Sequence, residues 1–454
     1  MSQLRPYQSA AVNRLHALWQ KHDAVLLVSP TGSGKTRLAV WGVMRPAVVK
    51  GKRILFVVQL RQVVKQTAAD VEAEGMPHAI FMAGHKTATA PVQIATIQTL
   101  AARKETPLPA FDLIIIDECQ HALSGQYRSL LERARKANPR VKVLGLTATP
   151  IRGDGKGLGV ADGGVFEVMD VVVQPPQLVA QKFLVPVVMW GVATDDLDKL
   201  RVDPRTADWD ERDLSRLMRR TRYVGEAVET YRQRAKGLRC IVFCVDVAHV
   251  QAVADEYKKA GIPCETTTAS TPHGERKAIL QRFRRGETLI LCNCDVYTEG
   301  FDEPLIGAVQ VLRPTRSLAR WLQAAGRGLR PVSPELANEC RQQGIPVPDK
   351  RHLILLDHGG NVHRHGSPLD AREWTLEGHD TSEAAHEARE RAATARVSTC
   401  PKCESLVMRG QTTCAHCGAA LPQRAAEVMA GTLVRLLTSG GVLAPGQEPD
   451  VVEV

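Results

Sequence analysis

The stretch Ser29-Pro30-Thr31-Gly32-Ser33-Gly34-Lys35-Thr36 is the strongest single signal in this sequence of 454 residues. It follows the apolar run 24–28, which indicates a buried strand, and it opens a helical pattern. Glycines allow a sharp turn in which backbone amides face an anion, and the start of the helix adds a favourable potential. A lysine and a hydroxyl at the end of such a loop reach the terminal phosphates and the Mg²⁺ of a nucleotide. We therefore predict a nucleoside-triphosphate loop that consists of Thr31, Gly32, Ser33, Gly34, Lys35 and Thr36.

Short apolar runs alternate with longer amphipathic runs on both sides of the middle of the chain. Continuous apolar strands that alternate with helices are typical of a parallel sheet covered on both faces. The first series comprises the strands 24–28, 54–58, 111–116 and 141–146, and the second comprises 240–245, 263–268, 288–293, 306–312 and 352–357. We therefore predict an α/β protein with two lobes, each built on a parallel sheet.

The sequence between and after the two series differs in composition from the lobes. Residues 151–168 are rich in Gly and Asp and predict a loop, whereas residues 195–236 and 368–397 are crowded with charges and predict exposed helices. These shifts divide the chain into a first lobe at 1–190, a helical connector at 191–236, a second lobe at 237–366, a charged helical linker at 367–397, a cysteine module at 398–420 and a tail at 421–454.

The composition is that of a globular protein, with 44% hydrophobic and 24% charged residues. The net charge of +10 favours a polyanionic partner without proving one, because many basic proteins bind no nucleic acid. The N-terminus, Met1 to Pro6, carries no apolar run, and aliphatic stretches such as Leu113 to Ile116 are far too short to cross a bilayer. We expect a cytoplasmic protein without a membrane partner.

Two adjacent carboxylates, Asp117 and Glu118, end the most apolar strand of the chain. A parallel sheet presents its ligands at the carboxyl ends of its strands, so the pair should face the phosphate loop. In-line phosphoryl transfer needs a metal ion and a positioned water. We predict that Thr36 and Asp117 bind Mg²⁺ and that Glu118 polarises the attacking water.

Four of the eleven cysteines are grouped near the C-terminus. Cys400-Pro401-Lys402-Cys403 and Cys414-Ala415-His416-Cys417 form a CxxC-x10-CxxC pattern. Two such knuckles deliver four thiolates to one Zn²⁺ with tetrahedral geometry, and the metal supplies the folding energy that so short a segment lacks. We predict a structural zinc ribbon, and we interpret His363 and His365 as ordinary polar residues. The predicted Zn²⁺ ligands are Cys400, Cys403, Cys414 and Cys417.

With the phosphate loop and the paired carboxylates, the chain resembles the superfamily 2 helicases of the DExH/DEAD type. The other motifs of that superfamily follow in order over residues 4–330. The resemblance implies two tandem RecA-like domains and ATP-driven movement along nucleic acid. Two positions depart from the family pattern: Ser29 replaces the first glycine of the loop, and Gln120 replaces the expected His or Asp, with His121 one place later.

The resemblance also assigns roles to residues outside the phosphate loop. Gln323-Ala324-Ala325-Gly326-Arg327-Gly328-Leu329-Arg330 resembles the QxxGRxxR motif, which implies that Arg327 and Arg330 are arginine fingers for the γ-phosphate. Thr298-Glu299-Gly300-Phe301-Asp302 resembles the motif before it, Thr147-Ala148-Thr149 the motif that couples the lobes, and Leu4-Arg5-Pro6-Tyr7-Gln8 an adenine-reading element. The implied nucleotide contacts from these motifs are Gln8, Gly300, Asp302 and Gln323.

The family's strand-binding positions imply contacts with a nucleic-acid backbone. Aromatic residues make up only 4% of the chain, so backbone gripping should dominate over base stacking. The stretches Thr149-Pro150-Ile151-Arg152-Gly153-Asp154-Gly155 and Glu373-Trp374-Thr375-Leu376 resemble phage and bacterial UvsW-like helicases, which favours single-stranded or branched DNA. The implied backbone contacts are Arg61, Thr96, Gln98 and Thr298.

Our preferred prediction is an ATP-dependent DNA helicase or translocase that moves along strands or remodels branched DNA. Three alternatives stay open. The same chemistry would serve an RNA helicase, and a decayed motor would bind nucleic acid without catalysis, although intact Lys35, Asp117, Glu118 and Arg330 argue against decay. The third alternative is the motor subunit of a restriction enzyme, although the chain shows no nuclease constellation.

Overall fold

The computed structural model describes residues 4–82, 89–121, 125–152, 154–191, 196–203, 206–297, 301–380 and 382–422. Within these ranges the chain forms two α/β lobes, each built around one large sheet, as the alternation of apolar strands and helices predicts. No helix in these ranges is long and apolar enough to traverse a lipid bilayer.

The sheet of the first lobe is parallel throughout. Its described strands are β1 (Ala24–Val28), β2 (Ile54–Val58), β3 (His78–Phe81), β4 (Val92–Thr96), β5 (Leu113–Asp117), β6 (Lys142–Thr147) and β7 (Val168–Val171). They pair in the order β3-β4-β2-β5-β6-β1-β7. Every residue of β1 and β2 is buried, because helices cover both faces of the sheet, and this explains why these strands read as unbroken apolar runs.

The sequence analysis predicted four of these strands and did not predict β3, β4 and β7. The unpredicted strands carry polar side chains, Gln93 in β4 and Asp170 in β7 among them, so no long apolar run marks them. β7 pairs with β1 in the register Val28↔Val171 and begins at the last residue of the region that we predicted to be a loop.

Helices of the first lobe connect the parallel strands. The helix that follows the phosphate loop begins as α2, continues through the π-helical stretch Leu38–Met44 and ends as α3. Its buried side chains, such as Leu38 and Val43, pack against the sheet. The helices of this lobe are α1 (Pro6–Trp19), α2 (Lys35–Arg37), α3 (Arg45–Val49), α4 (Arg61–Ala73), α5 (Ile97–Ala102), α6 (Gly125–Ala137) and α7 (Pro175–Ala180).

The second lobe also has a large sheet, most of it parallel. The strands after α7 are β8 (Val187–Gly191), β9 (Val202–Asp203), β10 (Asp208–Trp209), β11 (Cys240–Phe243), β12 (Cys264–Thr267), β13 (Ile290–Asn293), β14 (Ala308–Val311), β15 (Leu353–Asp357), β16 (Val397–Thr399) and β17 (Leu406–Met408). The large sheet has the described order β12-β13-β11-β14-β15-β8-β17-β16, whereas β9 and β10 form a separate antiparallel pair.

The helices of the second lobe flank this sheet. Two short 3-10 turns, Leu197–Lys199 and Gly326–Gly328, accompany them. The helices are α8 (Glu211–Met218), α9 (Thr221–Arg234), α10 (Val247–Lys259), α11 (His273–Arg285), α12 (Leu318–Ala325), α13 (Pro334–Gln342), α14 (Asn361–His365) and α15 (Glu383–Thr394).

The boundary between the lobes differs from the predicted one at residue 190. Strand β8 pairs with β15 of the second lobe, from Leu353↔Val187 to Asp357↔Gly191, so the first lobe ends before residue 187. The predicted connector at 191–236 also belongs to the second lobe, because Ala227 and Tyr231 of α9 are buried in its core. The crowded charges predict an exposed helix, but apolar residues on one face of α9 cover the sheet.

The predicted cysteine module is attached to the second lobe and does not form a separate body. Strand β17 pairs with β8, which would be the edge strand without the module, at Leu406↔Met189. The ring of His416 contacts Trp190 of β8 edge to face, with 4.8 Å between ring centroids. An ion pair of 3.8 Å joins Glu404 to Arg234 of α9. The module therefore covers a sheet edge that would otherwise be exposed.

The predicted charged helical linker, 367–397, is helical only at Glu383–Thr394 in the described chain. Residues 371–380 form neither helix nor strand and cross from the second lobe to the first, where Trp374 and Leu376 pack against the core. The predicted tail at 421–454 lies outside the described residues from position 423 onward.

We predict that deletion of residues 397–454 lowers the thermal stability of the protein. The deletion uncovers Trp190, which is only 8% exposed in the intact chain. Uncovering a large aromatic side chain costs about 2 kcal/mol, which corresponds to a decrease in Tm of roughly 4–8 °C for a lobe of this size. Calorimetry measures the change, and a chain that lacks only residues 423–454 is the matched control. Equal Tm values for both truncated chains would contradict the packing described here.

Candidate functional site

A cleft of about 970 Å³, open to solvent, lies between the two lobes. Its walls come from both lobes, at the carboxyl ends of strands β1 and β5 in the first lobe and after helix α12 in the second. This is the edge at which open parallel sheets bind ligands. The predicted residues that line the cleft are Thr31, Gly32, Gly34, Lys35, Thr36, Asp117, Glu118, Asp302, Arg327 and Arg330.

The backbone of the phosphate loop depends on its two glycines. Gly32 and Gly34 both adopt the left-handed conformation, with φ of 82°. A Cβ atom on Gly32 would come within 2.9 Å of Leu184 Cδ2, and one on Gly34 within 3.0 Å of Gln8 Nε2. Side chains at either position would therefore strain the turn and crowd its neighbours. The sequence argument that only glycine permits this turn agrees with the geometry.

Ser29, which departs from the family pattern, contributes a contact that glycine lacks. Its hydroxyl lies 2.7 Å from the hydroxyl of Ser33 across the loop. Its carbonyl accepts a hydrogen bond of 3.4 Å from Lys35 Nζ. Both serines are buried, at 3% and 1% exposure, so this pair stabilises the turn from inside. The substitution thus preserves the loop conformation.

The paired carboxylates follow directly from strand β5. Asp117 ends the strand, and its Oδ1 accepts a hydrogen bond from the Glu118 amide at 3.1 Å. Glu118 has a φ of 48°, which is uncommon for a residue with a side chain. This conformation directs its carboxylate to the phosphate loop, where Oε1 lies 4.0 Å from Lys35 Nζ. Strain of this kind is concentrated at functional sites.

Gln120 connects the carboxylate site to the next strand. Its amide nitrogen donates to Glu118 Oε2 at 3.0 Å, and its amide oxygen accepts from Thr147 Oγ1 at 2.7 Å. Thr147 Oγ1 in turn accepts from the Thr149 amide at 3.0 Å. A side-chain amide provides both a donor and an acceptor, and Gln120 uses the donor for Glu118 and the acceptor for Thr147. The side chain of His121 lies outside the described residues.

The arginines of the second lobe reach the phosphate loop. Arg330 forms an ion pair with Asp302, and its Cγ lies 3.1 Å from the place where a Cβ on Gly32 would be. Arg327 donates to the Phe301 carbonyl at 2.7 Å. Next to it, a Cβ on Gly326 would lie 3.0 Å from Thr31 Cβ, so the two lobes are in contact at this point.

The structure places Gln8 differently from our prediction that it reads the adenine edge. Gln8 is only 1% exposed, and its amide nitrogen donates to the carbonyls of Ser33 and Gly34 at 3.2 and 3.1 Å. Its amide oxygen accepts from the Arg5 amide at 3.0 Å. Tyr7 also donates to the Ser33 carbonyl, at 2.5 Å. In this structure Gln8 therefore supports the phosphate loop, and its side-chain amide nitrogen is fully used by the two loop carbonyls.

Burial shifts the pKa of two groups near the cleft. Burial raises the pKa of the Cys119 thiol well above its usual value, and the neighbouring carboxylates Glu118 and Asp117 raise it further. The thiol is therefore protonated and is no nucleophile. Burial lowers the pKa of Lys350 to about 7, and its ammonium donates to the Pro304 carbonyl at 2.8 Å. Lys350 lies near Asp302 and Arg330, and no motif in the sequence predicted it there.

The predicted strand contacts are only partly accessible. Arg61 and Gln98 are exposed and follow the adjacent strands β2 and β4, so they lie at one edge of the sheet. Thr96 is 3% exposed, and its hydroxyl accepts from the Thr99 amide as the N-cap of α5. Gln323 is half-buried on α12 and does not line the cleft. Thr298 and Gly300 lie outside the described residues.

The four grouped cysteines converge on one point. Their sulfur atoms all lie within 4.8 Å of one another, with 3.7 Å between Cys400 and Cys417 and between Cys403 and Cys414. Four thiolates around one Zn²⁺ at about 2.3 Å have sulfur–sulfur distances of about 3.8 Å. The donor set and its spacing therefore fit a tetrahedral metal site. Cys400 and Cys414 are buried, and both line a small core of their own.

Two family models match the chain. Residues 1–152 match the family "Type III restriction enzyme, res subunit", and residues 221–332 match the "Helicase conserved C-terminal domain". The first match covers the phosphate loop, the paired carboxylates and Thr147 to Thr149, and the second covers the two arginines. Both matched regions therefore contribute walls of the cleft.

Several known proteins are similar to most of the chain. A "51.5 kDa protein" of a Lactococcus phage (isolate 7-9) is 28% identical over 87% of this chain and 77% of its own length. The "DNA 3'-5' translocase XPB2" of Sulfurisphaera tokodaii is 25% identical over 72% of this chain and 79% of its own length. The "Putative ATP-dependent helicase IRC3" of Saccharomyces cerevisiae is 34% identical over 53% of this chain, which spans about a third (35%) of that longer protein.

The fold also resembles solved structures. The "ATP-dependent Type ISP restriction-modification enzyme LlaBIII bound to DNA" superposes with a TM-score of 0.54 over 87% of this chain and 30% of its own chain. The sequence identity is 17%, so the likeness concerns the fold alone.

Proposed function

We propose that this chain, a member of superfamily 2 of the DExH/DEAD-like helicases, is an ATP-dependent DNA translocase or helicase. One observation carries the proposal. The phosphate loop and the two arginines line the same cleft, with Gly326 of the second lobe against Thr31 of the first. A triphosphate in this cleft would contact Lys35 from one lobe and Arg330 from the other, so its hydrolysis would change how the lobes are held together.

The chain's own residues account for each requirement of phosphoryl transfer. Lys35 and the loop amides would hold the terminal phosphates, and Thr36 and Asp117 would hold Mg²⁺, which would neutralise phosphate charge. Glu118 orients and polarises the attacking water. Arg327 and Arg330 stabilise the charge that builds on the γ-phosphate oxygens. In the structure Arg330 is paired with Asp302, so this ion pair would have to exchange for a phosphate contact.

The link from chemistry to movement begins at Gln120. Its amide bonds both Glu118 and Thr147, so a change at the carboxylate is transmitted to the segment Thr147 to Thr149. That segment leads to the contact between the lobes, because Ala148 and Thr149 border an apolar pocket that Gly326 and Leu329 close from the second lobe. The hydrogen-bond chain thus connects the water-activating residue to the lobe interface.

We propose DNA as the nucleic acid along which the protein moves, because the relative from Sulfurisphaera tokodaii carries the name of a DNA translocase. Exposed Arg61 and Gln98 at the edge of the first sheet are suited to phosphates, which every nucleic acid carries. Chemistry at these positions therefore does not separate DNA from RNA. The second candidate function is an RNA helicase, and a restriction-enzyme motor is a third, supported by the family match of residues 1–152.

We propose Zn²⁺ as the ion of the four-cysteine cluster. Sulfur ligands and tetrahedral spacing favour Zn²⁺ over harder ions such as Mg²⁺. The site has no open position and lies beside the edge strand β8, so its role is structural. It would hold β16 and β17 against the second lobe.

We expect Lys35→Ala to abolish ATP turnover and Glu118→Gln to bind ATP but hydrolyse it slowly. The glutamine keeps the shape of Glu118 but cannot polarise water, so kcat should fall roughly 100-fold or more. Nucleotide binding and steady-state turnover measure the two effects. Glu132→Gln on the exposed face of α6 is the control, and we expect it to behave as the unmodified protein. Wild-type kcat in Glu118→Gln would show that another residue activates the water.

The choice of DNA is tested by ATP turnover with single-stranded DNA, forked DNA and RNA of matched sequence. We expect DNA to stimulate turnover and RNA to stimulate it far less. The stimulation should weaken as salt is raised, because phosphate contacts release counterions. Stimulation by RNA alone would replace the proposal with an RNA helicase. No turnover under any condition would favour a non-catalytic nucleic-acid-binding protein.

We expect the purified chain to contain one Zn²⁺, and Cys403→Ser to lose it, because three thiolates hold the ion less tightly than four. Atomic emission spectroscopy measures the metal content. Cys294→Ser, a half-buried cysteine outside the cluster, is the control and should keep the ion. Equal Zn²⁺ content in both variants would rule out the cluster as the metal site.

A further inference from the structure

Within the described residues the polypeptide connects the two lobes at two places. It crosses first after β7, through α7, on its way to β8. It returns after α14, when residues 371–380, which we call the strap, extend from the second lobe onto the first. The chain then re-enters the second lobe at α15, where Glu390 pairs with Arg364 at 3.3 Å. An ion pair of 3.3 Å between Asp370 and Arg396 joins the two ends of this excursion. The strap is therefore a loop that is closed at its base in the second lobe.

The strap is bonded to the first lobe along its backbone. The Leu376 carbonyl accepts from the amides of Leu158 and Gly159 at 2.8 and 2.9 Å. The His379 amide donates to the Gly155 carbonyl at 2.8 Å, and the Gly378 amide donates to Asp162 Oδ2 at 2.7 Å. These contacts fix the register of the strap on residues 155–162.

The side chains of the strap alternate as in a strand that lies on a surface. Arg372, Trp374 and Leu376 are half-buried, whereas Glu373 and Thr375 are exposed. Trp374 and Leu376 pack against the hydrophobic core of the first lobe. The strap thus adds apolar contacts to its backbone hydrogen bonds, which makes it a specific docking segment.

The glycines of residues 155–164 make room for the strap. A Cβ on Gly157 would come within 2.3 Å of the Leu376 carbonyl oxygen and 2.7 Å of the Gly378 nitrogen. A Cβ on Gly159 would lie 3.0 Å from Leu376 Cβ. The nearest atom is Asp162 Oδ2, a side-chain atom at 2.1 Å, but the two strap atoms at Gly157 belong to the backbone and cannot rotate away. The strap therefore explains two glycines of this loop, Gly157 and Gly159.

The two crossings are held together. Gln174, which precedes α7 in the first crossing, donates its side-chain amide to the Arg372 carbonyl at 2.9 Å and accepts from the Arg372 amide at 3.2 Å. Two bodies that are joined by adjacent crossings can rotate about them but cannot separate freely. The strap therefore limits how the second lobe moves relative to the first.

The base of the strap also contacts the helix that leads to the arginines. Trp321 of α12, which is fully buried, donates its indole N–H to the Gly366 carbonyl at 3.1 Å. Arg372 donates to the carbonyls of His365 and Ser367, both at 3.0 Å. Because α12 continues into Gly326 and the two arginines, the position of the strap and the position of the arginines are mechanically linked.

We propose that the strap positions Arg327 and Arg330 across the phosphate loop, with Trp374 and Leu376 as the positioning residues that dock it on the first lobe. The inference rests on the proposed ATP hydrolysis. Neither docking side chain lines the cleft, so both act through the arginines. Displacement of a catalytic group by about 1 Å can cost 100-fold in rate, so a docked strap is needed for hydrolysis but not for binding to the loop.

The test uses the full chain with Gly157→Ala, which pushes the strap off without altering any residue of the cleft. Gly125→Ala is the matched control in the same lobe, because a Cβ there meets nothing within 4 Å. Leu376→Asp is a second way to disrupt docking, because it replaces the apolar side chain with a charge. Leu376→Met is its control, because it keeps an apolar side chain of similar size. Hydrogen exchange reports the amides of Leu158, Gly159, Gly378 and His379, and calorimetry reports whether each variant is folded.

We expect Gly157→Ala and Leu376→Asp to lose protection at these four amides and to reduce kcat roughly 10- to 100-fold, with KM for ATP changed by less than about threefold. Gly125→Ala and Leu376→Met should match the unmodified chain in both measurements. In Gly157→Ala or Leu376→Asp, lost protection with unchanged kcat would overturn the proposal, and so would a reduced kcat with protection retained. Absence of turnover in the unmodified chain would instead refute the proposed function, a result that the exchange data do not depend on.

Discussion

The contact between Gly326 and Thr31 constrains the rest of this structure. A Cβ on Gly326 would lie 3.0 Å from Thr31 Cβ, so the backbone after α12 must lie directly against the phosphate loop. The same closeness places Arg330 over Gly32, where only a residue without a side chain leaves space. One continuous hydrophobic cluster joins the two lobes, and at this contact the residues are small for a steric reason.

Much of the surrounding structure maintains this match. From the first lobe, Gln8 and Tyr7 fix the carbonyls of the loop, and the Ser29–Ser33 pair stabilises it internally. In the segment between the lobes, Val185 donates its amide to the Leu329 carbonyl at 2.8 Å, so this segment is bonded to the turn that carries the arginines. The loop and the backbone of the arginine turn are thus preorganised by contacts that no nucleotide has to create, whereas the Arg330 side chain has to exchange its ion pair with Asp302.

The sequence was sufficient for the parts of the site that local chemistry determines. A glycine turn with a following lysine, a carboxylate pair after an apolar strand, and four cysteines in two knuckles each carry a signal within a few residues. In the structure the glycine turn and the carboxylate pair line the cleft, and the four cysteines converge at a separate site, as those patterns imply. Strands such as β4 and β7 were not predicted, because burial by distant helices and neighbouring strands, and not their own composition, makes them strands.

Long-range contacts set the remaining limits. Gln8 has the residue type of a base-reading side chain, yet its amide is consumed by the loop carbonyls, which lie about 25 residues away in sequence (Ser33 is 25 and Gly34 is 26 residues from it). Residues 187–191 follow the first lobe in sequence but pair with β15, more than a hundred residues later. A pattern that is read along the chain does not contain such pairings, since each is set by packing of complete lobes.

The glycine-rich loop at 155–164 shows how a composition without a local explanation acquires one. Glycines cost conformational entropy, so a run of them in an ordered segment needs a compensating contact. Here the contact is the backbone of residues 376–378, which approaches too closely for any Cβ at Gly157. Of the two stretches that resemble one subgroup of helicases, 373–376 docks on residues just after 149–155, because the Leu376 carbonyl accepts from the amides of Leu158 and Gly159. Both stretches therefore lie at or next to one docking interface between the two lobes, built from segments more than two hundred residues apart.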